Sequence, residues 1–142
     1  MREFMAICKA VSDPQRVRLL VALQGGEQCV GTLVRLVGLA PSTVSKHLSI
    51  LQGARLVESR KQGRRVFYRE AGEDAPEAVT AALRWIGTAL GDDPVIREDR
   101  LRLQDTDFRP GGDTSRPRGS APRRREIDAP ASAPLPMDEW VD

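Results

Sequence analysis

The chain has 142 residues and a mass of 15.6 kDa, which is the size of one ordinary domain. Its 40% hydrophobic, 30% charged and 4% aromatic residues are typical of a soluble protein with a modest core, which argues against a multidomain enzyme. Charges interrupt every apolar stretch well short of the roughly 20 residues that cross a bilayer, and the first residues show no signal-peptide pattern. We therefore expect a cytoplasmic protein.

Charge is distributed unevenly along the chain. Residues 1–70 carry 12 basic and 5 acidic residues, residues 71–103 carry 4 and 7, and residues 104–142 carry 6 and 8. The first half is therefore strongly positive, although the formal net charge of the whole chain is only +2. Clustered positive charge in a small domain favours a phosphate-bearing partner over a merely solvated surface.

Histidine and cysteine are scarce. His47 is the single histidine, so zinc enzymes and most catalytic sites built on imidazole groups are excluded. Ser42 and Ser45 lie near it in the sequence, but no acid or oxyanion hole accompanies them, and we do not expect an enzyme. Cys8 and Cys29 are too few for a disulfide framework and indicate reduced thiols.

Apolar spacing predicts four helices in the first half of the chain. The first spans residues 2–11, and the second begins at Ser12, which has a capping-box spacing to Gln15, and stops at Gly25. A third helix is predicted over about 30–37. The fourth begins at Pro41 and runs to about residue 52, although Ala40 before it offers no side-chain oxygen as a cap.

The fourth helix has two contrasting faces. Its apolar face recurs at i, i+4 and i+7 and is expected to point inward. Its other face carries short donors and acceptors, one lysine and no acid: Ser42, Thr43, Ser45, Lys46 and Ser49. That composition is unusual for a helix face whose only task is solvation.

After Gly53 the spacing of apolar residues changes from that of a helix to that of a strand. Residues 56–60 and 65–69 are predicted to form two strands joined by a basic tip that includes Lys61 and Arg64. A fifth helix over about 79–90 has a wide apolar stripe, which we expect to meet a second subunit in part; the alternative is packing on the chain's own core. Residues 91–103 are predicted either to form a short helix or to fray.

From residue 104 onward the composition shifts. Six of the ten prolines fall in the last 39 residues, beside the triplet Arg123-Arg124-Arg125. We expect a folded domain over residues 1–103 and a disordered tail over 104–142. The triplet and the apolar end of the tail, residues 135–140, are each weak signals for a partner, and a solvated tail is the simpler interpretation.

The order of helix, three-residue connection, helix and basic hairpin has a mechanistic meaning. In a helix-turn-helix pair the second helix enters the major groove of DNA, where its N-terminal side chains reach base edges. A hairpin with Lys61, Arg64 and Arg65 at its tip is placed beside an adjacent minor groove or a row of phosphates. The predicted fold is mainly helical with one β-hairpin, a winged helix-turn-helix.

At this point the chain resembles the ArsR/SmtB family of winged-helix repressors. The resemblance covers roughly residues 3–90 and rests on three blocks in the right order, which are residues 10–20 (AVSDPQRVRLL), 38–48 (GLAPSTVSKHL) and 63–69 (GRRVFYR). It implies a dimer formed through the first and last helices, here residues 2–11 and 75–90. It also implies repression by blocking RNA polymerase, at an inverted-repeat operator that the dimer reads.

The resemblance also implies individual DNA contacts. Ser42, Thr43, Ser45 and Lys46 are implied as major-groove and phosphate contacts, and Arg64 and Arg65 as contacts of the wing. His47 borders both faces of its helix, so it either touches a phosphate or forms a hydrogen bond inside the domain.

An inducer is harder to identify. Arsenic-sensing relatives commonly carry a Cys-x-Cys pair in the helix before the recognition helix, but here only Cys29 of that pair is present, which rules out a three-sulfur site in this helix. Cys8 and Cys29 are a candidate thiol sensor pair for mercury, an organoarsenical or an oxidant. The alternatives are two small buried side chains in a repressor that responds to a small molecule or to no ligand, or a winged helix that binds proteins instead of DNA.

Overall fold

The computed structural model of the chain describes residues 1–105. The elements in chain order are α1 (Arg2–Ala10), α2 (Pro14–Gln24), β1 (Gln28–Cys29), α3 (Val30–Val37), α4 (Pro41–Gly53), β2 (Val57–Gln62), β3 (Arg65–Glu70), α5 (Glu77–Ala89) and α6 (Pro94–Gln104). The predicted mainly helical architecture with one hairpin is confirmed. Nearly all of the predicted tail lies outside the described residues, among which no helix is long and apolar enough to span a membrane.

The start of α2 differs from the prediction. Asp13, and not Ser12, is the N-cap: its Oδ1 accepts the backbone N–H groups of Gln15 at 2.8 Å and Arg16 at 3.1 Å. The Ser12 hydroxyl instead donates to the carbonyl of Lys9 at 2.7 Å, at the end of α1. The capping-box interpretation of Ser12 was therefore wrong, because the aspartate one residue later accepts two amide groups at once.

The helix-turn-helix formed by α3 and α4 agrees closely with the prediction. Gly38 ends α3 in the left-handed conformation, at φ 67°, which glycine adopts without steric cost. No side chain caps the N-terminus of α4, as expected for Ala40 followed by Pro41. The inward face of α4 is fully buried and consists of Val44, Leu48 and Leu51. Because this face is buried, the opposite face of α4 points toward solvent.

The sheet has one strand more than predicted. The two residues of β1 pair antiparallel with β3, giving the strand order β1-β3-β2. The hairpin is also longer than predicted, because β2 continues to Gln62 and pairs with Arg65. Only Gly63 and Arg64 remain for the turn, and Gly63 lies at φ 61°, the positive value that a two-residue hairpin turn requires at its first position.

The core is organised around α2. Five consecutive residues of this helix are buried, Leu19 to Leu23, so other elements cover it on most sides. The apolar stripe of α5 packs mainly on this core through Val79, Leu83 and Ile86. Most of that stripe therefore packs on the chain's own core, as in the alternative interpretation. Trp85 of the same helix is 66% exposed.

Residues 94–104 form a helix and do not fray. Asp93 caps it by accepting the backbone N–H of Val95 at 2.9 Å. Asp99 is 4% exposed on this helix, and its two carboxylate oxygens each accept a hydrogen bond of 2.9 Å from the Arg18 guanidinium of α2. Arg18 also donates to the carbonyl of Leu36 near the end of α3, at 3.2 Å. One arginine therefore joins α2, α3 and α6.

Candidate nucleic-acid interface

The polar face of α4 is open to solvent. All five of its predicted contact residues are exposed: Ser42, Thr43, Ser45, Lys46 and Ser49. Four of them lie in the first two turns of the helix, the part that reaches base edges when a recognition helix enters the major groove. Lys46 forms no ion pair with any described residue. The helix thus presents hydroxyl groups and one available cation.

His47 lies at the border of this face and is half-buried. Its Nδ1 is 3.4 Å from Nη1 of Arg16 in α2. The contact agrees with the predicted alternative of a hydrogen bond inside the domain. His47 therefore differs from the five exposed residues of α4, whose side chains face solvent.

The tip of the hairpin carries further available cations. Lys61, Arg64 and Arg65 are all exposed and lie at or next to the turn. Lys61 and Arg64 have no acidic partner among residues 1–105. Such a tip has the charge and the narrow shape of a group that lies along phosphates or enters a minor groove.

The body of the hairpin is different, because its arginines are paired. Arg60 donates to both carboxylate oxygens of Glu27 and to Oε1 of Gln62 at 2.8 Å, and its guanidinium lies 4.7 Å from the ring centre of Phe67. The hydrogen bond from Arg60 lowers the pKa of the Glu27 carboxyl and raises that of Arg60.

Arg69, directly opposite Glu58 in the strand pair, forms a second ion pair at 2.9 Å. The acids around the body thus neutralise its arginines before any partner arrives.

Besides the pairing of β3 with β1, two side-chain contacts attach the hairpin to the rest of the domain. The Gln52 side chain near the end of α4 donates to the hydroxyl of Ser59 in β2 at 3.1 Å. The pair between Arg60 and Glu27 joins β2 to the segment just before β1. The base of the wing is therefore attached to the recognition helix and to the sheet, while its tip extends away from them.

The two cysteines lie in different elements. Cys8 is in α1 and Cys29 is the residue before α3, and both are free and half-buried. No group of three or more histidine, cysteine or acidic side chains that could hold a metal ion occurs within residues 1–105.

Sequence reasoning missed the residues that support the site from behind. Arg16 is 31 positions from His47, and Arg60 is 33 positions from Glu27. No periodic pattern links partners so far apart. Only the charge signs of Arg60 and Glu27 could have suggested pairing, and the sequence contains many other combinations of opposite charges.

Comparison with known proteins is consistent with this geometry. A family model described as "Bacterial regulatory protein, arsR family" matches residues 13–59, from the cap of α2 into β2. The HTH-type transcriptional regulator CmtR of Mycobacterium tuberculosis (strain ATCC 25618 / H37Rv) is 37% identical over 90 residues, which are 63% of this chain and 76% of that protein.

Solved structures share this fold, and two of them serve as examples. One is the homodimeric winged helix-turn-helix DNA-binding domain Mb0332 from Mycobacterium bovis, with 27% identity, a TM-score of 0.53 and coverage of 72% of this chain and 84% of that one. The other is the transcriptional repressor BigR from Xylella fastidiosa, with 27% identity, a TM-score of 0.53 and coverage of 63% and 85%. The chain therefore belongs to the ArsR family of bacterial regulatory proteins and is a DNA-binding transcriptional regulator, not an enzyme.

Proposed function

We propose that this protein is a dimeric repressor that binds an inverted-repeat operator. In each protomer α4 lies in the major groove, with Ser42, Thr43, Ser45, Lys46 and Ser49 facing bases and phosphates, and the tip residues Lys61, Arg64 and Arg65 lie along the neighbouring backbone or minor groove. The observation that carries the proposal is the availability of Lys46, Lys61 and Arg64, which have no acidic partner within the described residues.

Apolar side chains that the described protomer leaves exposed support the dimer. Phe4 and Met5 on α1 are 59% and 55% exposed, and Trp85 on α5 is 66% exposed. Large apolar groups on two helices are typical of an interface between subunits. They fall within residues 2–11 and 75–90, the two segments predicted to dimerise, and the Mb0332 domain, which shares the fold, is homodimeric.

A two-fold dimer explains why the operator is expected to be an inverted repeat. Each recognition helix reads one half-site, and the half-sites lie about 34 Å apart, one turn of the DNA helix. Binding across a promoter then excludes RNA polymerase, which is the simplest route to repression for a protein of this size. BigR of Xylella fastidiosa, which shares the fold, is described as a transcriptional repressor.

The response to an effector is proposed to reside in Cys8 and Cys29. Both thiols are free, and Cys8 lies on α1, within the proposed dimer surface. Two thiolates suit mercury(II), an organoarsenical or reversible oxidation. Release of wild type from DNA by phenylarsine oxide, with no release of Cys8→Ser or Cys29→Ser, would support this part; equal release of all three would overturn it.

The experiment on the main proposal measures DNA preference by fluorescence anisotropy. Wild type is titrated with a labelled duplex from its own upstream region, in competition with an unrelated duplex of the same length. We expect a preference of at least about a thousandfold, as for specific DNA-binding proteins. Lys46→Ala should weaken binding, whereas Arg102→Ala, which removes an exposed arginine of α6, should not. Equal affinity for both duplexes would contradict the proposal and favour a protein-binding module.

Assembly is tested separately by light scattering after size-exclusion chromatography. Phe4→Glu should shift the dimer toward the monomer, because it places a charge on the proposed interface. Leu101→Glu is the matched control, since Leu101 is 67% exposed on α6 and lies outside both dimer segments. A monomeric wild type, or an undisturbed Phe4→Glu dimer, would refute the proposed interface.

A further inference from the structure

Arg16 lies behind the recognition helix and makes contacts that the proposed DNA interface does not use. Its side chain is only 12% exposed. Its Nε donates to the carbonyl of Ala10 at 2.8 Å and its Nη2 to the carbonyl of Lys9 at 3.0 Å. These are carbonyls at the end of α1, where no further turn of helix supplies a donor. The guanidinium therefore closes the C-terminus of α1 from a neighbouring helix, together with the Ser12 hydroxyl that donates to the same Lys9 carbonyl.

The remaining nitrogen of Arg16 faces both the recognition helix and Asp13, whose Oδ2 lies 4.0 Å from it. Its Nη1 lies 3.4 Å from Nδ1 of His47. A guanidinium can only donate hydrogen bonds, so Nδ1 of His47 is the acceptor in this contact. One planar group therefore holds two backbone carbonyls of α1 and the ring of a residue in the middle of α4.

A second contact joins the start of α1 to the segment that follows α4. Arg55, just after α4, lies 3.9 Å from Glu3 near the start of α1, and both side chains are largely exposed. The two helices pack against each other. Residue 3 thus meets residue 55, while the carbonyls of residues 9 and 10 reach residue 47 through Arg16. The two helices therefore run antiparallel.

We propose that Arg16 is a positioning residue for operator binding: it fixes the recognition helix to α1 through His47 and does not itself touch DNA. This inference rests on the proposed function. If α1 forms the dimer surface, the attachment of α4 to α1 determines where each recognition helix stands relative to the two-fold axis. An operator with fixed half-site spacing binds tightly only when both helices stand at that spacing.

The assignment distinguishes two roles for His47. A histidine that contacts phosphate would act independently of Arg16. A histidine that serves as the acceptor for Arg16 would lose its effect once Arg16 is gone. Asparagine places its amide oxygen close to where Nδ1 lies and does not titrate, so His47→Asn keeps an acceptor for Arg16. His47→Ala removes it.

The experiment is a double-mutant cycle on operator affinity with Arg16→Gln, His47→Ala and the double variant, together with His47→Asn. We expect each single loss to weaken binding about tenfold, the double variant to be no weaker than the single ones, and His47→Asn to remain close to wild type. The slope of log affinity against log salt should stay at the wild-type value in all four, because no phosphate contact is removed.

The variants at position 47 leave the α1 carbonyls untouched, so they decide the question even if Arg16→Gln folds poorly. Additive losses, equal weakening by His47→Ala and His47→Asn, or wild-type affinity of His47→Ala would overturn the positioning role. In each of these cases Lys46→Ala should still weaken binding and reduce the salt slope, so the proposed function stands. If wild type shows no preference for its upstream duplex, the proposed function and the positioning role of Arg16 are both contradicted.

Discussion

The tip and the body of the hairpin carry the same type of residue in two different states. Lys61 and Arg64 at the tip have no acidic partner among the described residues, whereas Arg60 and Arg69 in the body are paired with Glu27 and Glu58. A cation that is already paired must lose its acid before it can neutralise a phosphate. Sequence position alone therefore does not identify the arginines that bind DNA; the acids around them do.

The same contrast extends to the helices. Lys46 on the recognition helix has no acidic partner within residues 1–105, while Arg18 on α2 is held by Asp99. The paired arginines are expected to contribute to stability, or to the shape of the surface, and the available cations to affinity for DNA. The predictions below test this division.

The largest effect is expected from Asp99→Ala. Arg18 has a side chain only 18% exposed, and its hydrogen bonds to Asp99 raise its pKa, so removal of the carboxylate leaves a largely buried charge without its partner. We expect the free energy of unfolding to fall by about 2–3 kcal/mol. Urea denaturation followed by circular dichroism measures it.

Glu98→Ala is the matched control for Asp99→Ala. Glu98 lies on the same helix and pairs with Arg102 at 2.6 Å, but both side chains are exposed. Its loss should change stability by less than about 0.5 kcal/mol. Equal effects of the two variants would show that burial does not distinguish these ion pairs.

A gain in stability is expected from Arg55→Gly. Arg55 lies two residues after the end of α4, at φ 64°, in the left-handed conformation that disfavours residues with a Cβ atom, and its pair with Glu3 at 3.9 Å is exposed. Glycine should raise the free energy of unfolding by about 1 kcal/mol. Arg55→Ala keeps the strain and removes only the ion pair, so it should change stability by less than about 0.5 kcal/mol. If alanine raised the free energy of unfolding as much as glycine, the destabilisation at residue 55 would come from the arginine side chain and not from the backbone conformation.

Glu27→Gln releases a paired cation. Without the carboxylate, Arg60 becomes available beside the tip, so the salt dependence of DNA binding should steepen by up to about 0.9, the value for one further phosphate. Glu73→Gln removes the same charge from an exposed position with no ion pair among the described residues, and should leave the slope unchanged. Equal slopes for the two variants would mean that pairing does not withhold Arg60 from DNA.

The pH dependence of the Glu27 pair has a definite sign. Arg60 lowers the pKa of Glu27 below its ordinary value of 4.5. The pair therefore contributes fully above pH 4.5 and is lost as the pH falls through the lowered pKa.

The smallest effect is expected at Glu70, the last residue of β3. Burial raises the pKa of its carboxyl above 4.5. The folded state therefore binds the proton more tightly than the unfolded state, and stability falls as the pH rises from about 4.5 through the raised pKa. Glu70→Gln should be slightly more stable than wild type at pH 7, and the difference should vanish below pH 4. A difference that is independent of pH would exclude this explanation.

Much of the fold could be predicted because its signals are local. Gly38 and Pro41 mark the connection between α3 and α4, and the spacing of Val44, Leu48 and Leu51 fixes which face of α4 is exposed. The polar face and the basic tip followed directly from these local patterns. The tip was also identified correctly, although the strands on either side of it are longer than predicted.

The rest depends on contacts between distant residues. The two residues of β1 are too few to show a period, and they become a strand only because β3 offers a pairing edge. Whether Trp85 faces the core or solvent depends on where α2 and α6 pack. Neither the link between Arg16 and His47 nor that between Arg18 and Asp99 follows from spacing, because each joins helices whose approach is decided by the core.

The most direct test of the central claim compares Arg64→Ala with Arg69→Ala. Both remove one exposed arginine from the same hairpin, but Arg64 has no acidic partner among the described residues and Arg69 is paired with Glu58. The measurement is the slope of log affinity for the upstream duplex against log salt. We predict that Arg64→Ala reduces the slope by about 0.9 and that Arg69→Ala leaves it unchanged. Equal reduction by both variants, or by neither, would contradict the division between available and paired cations.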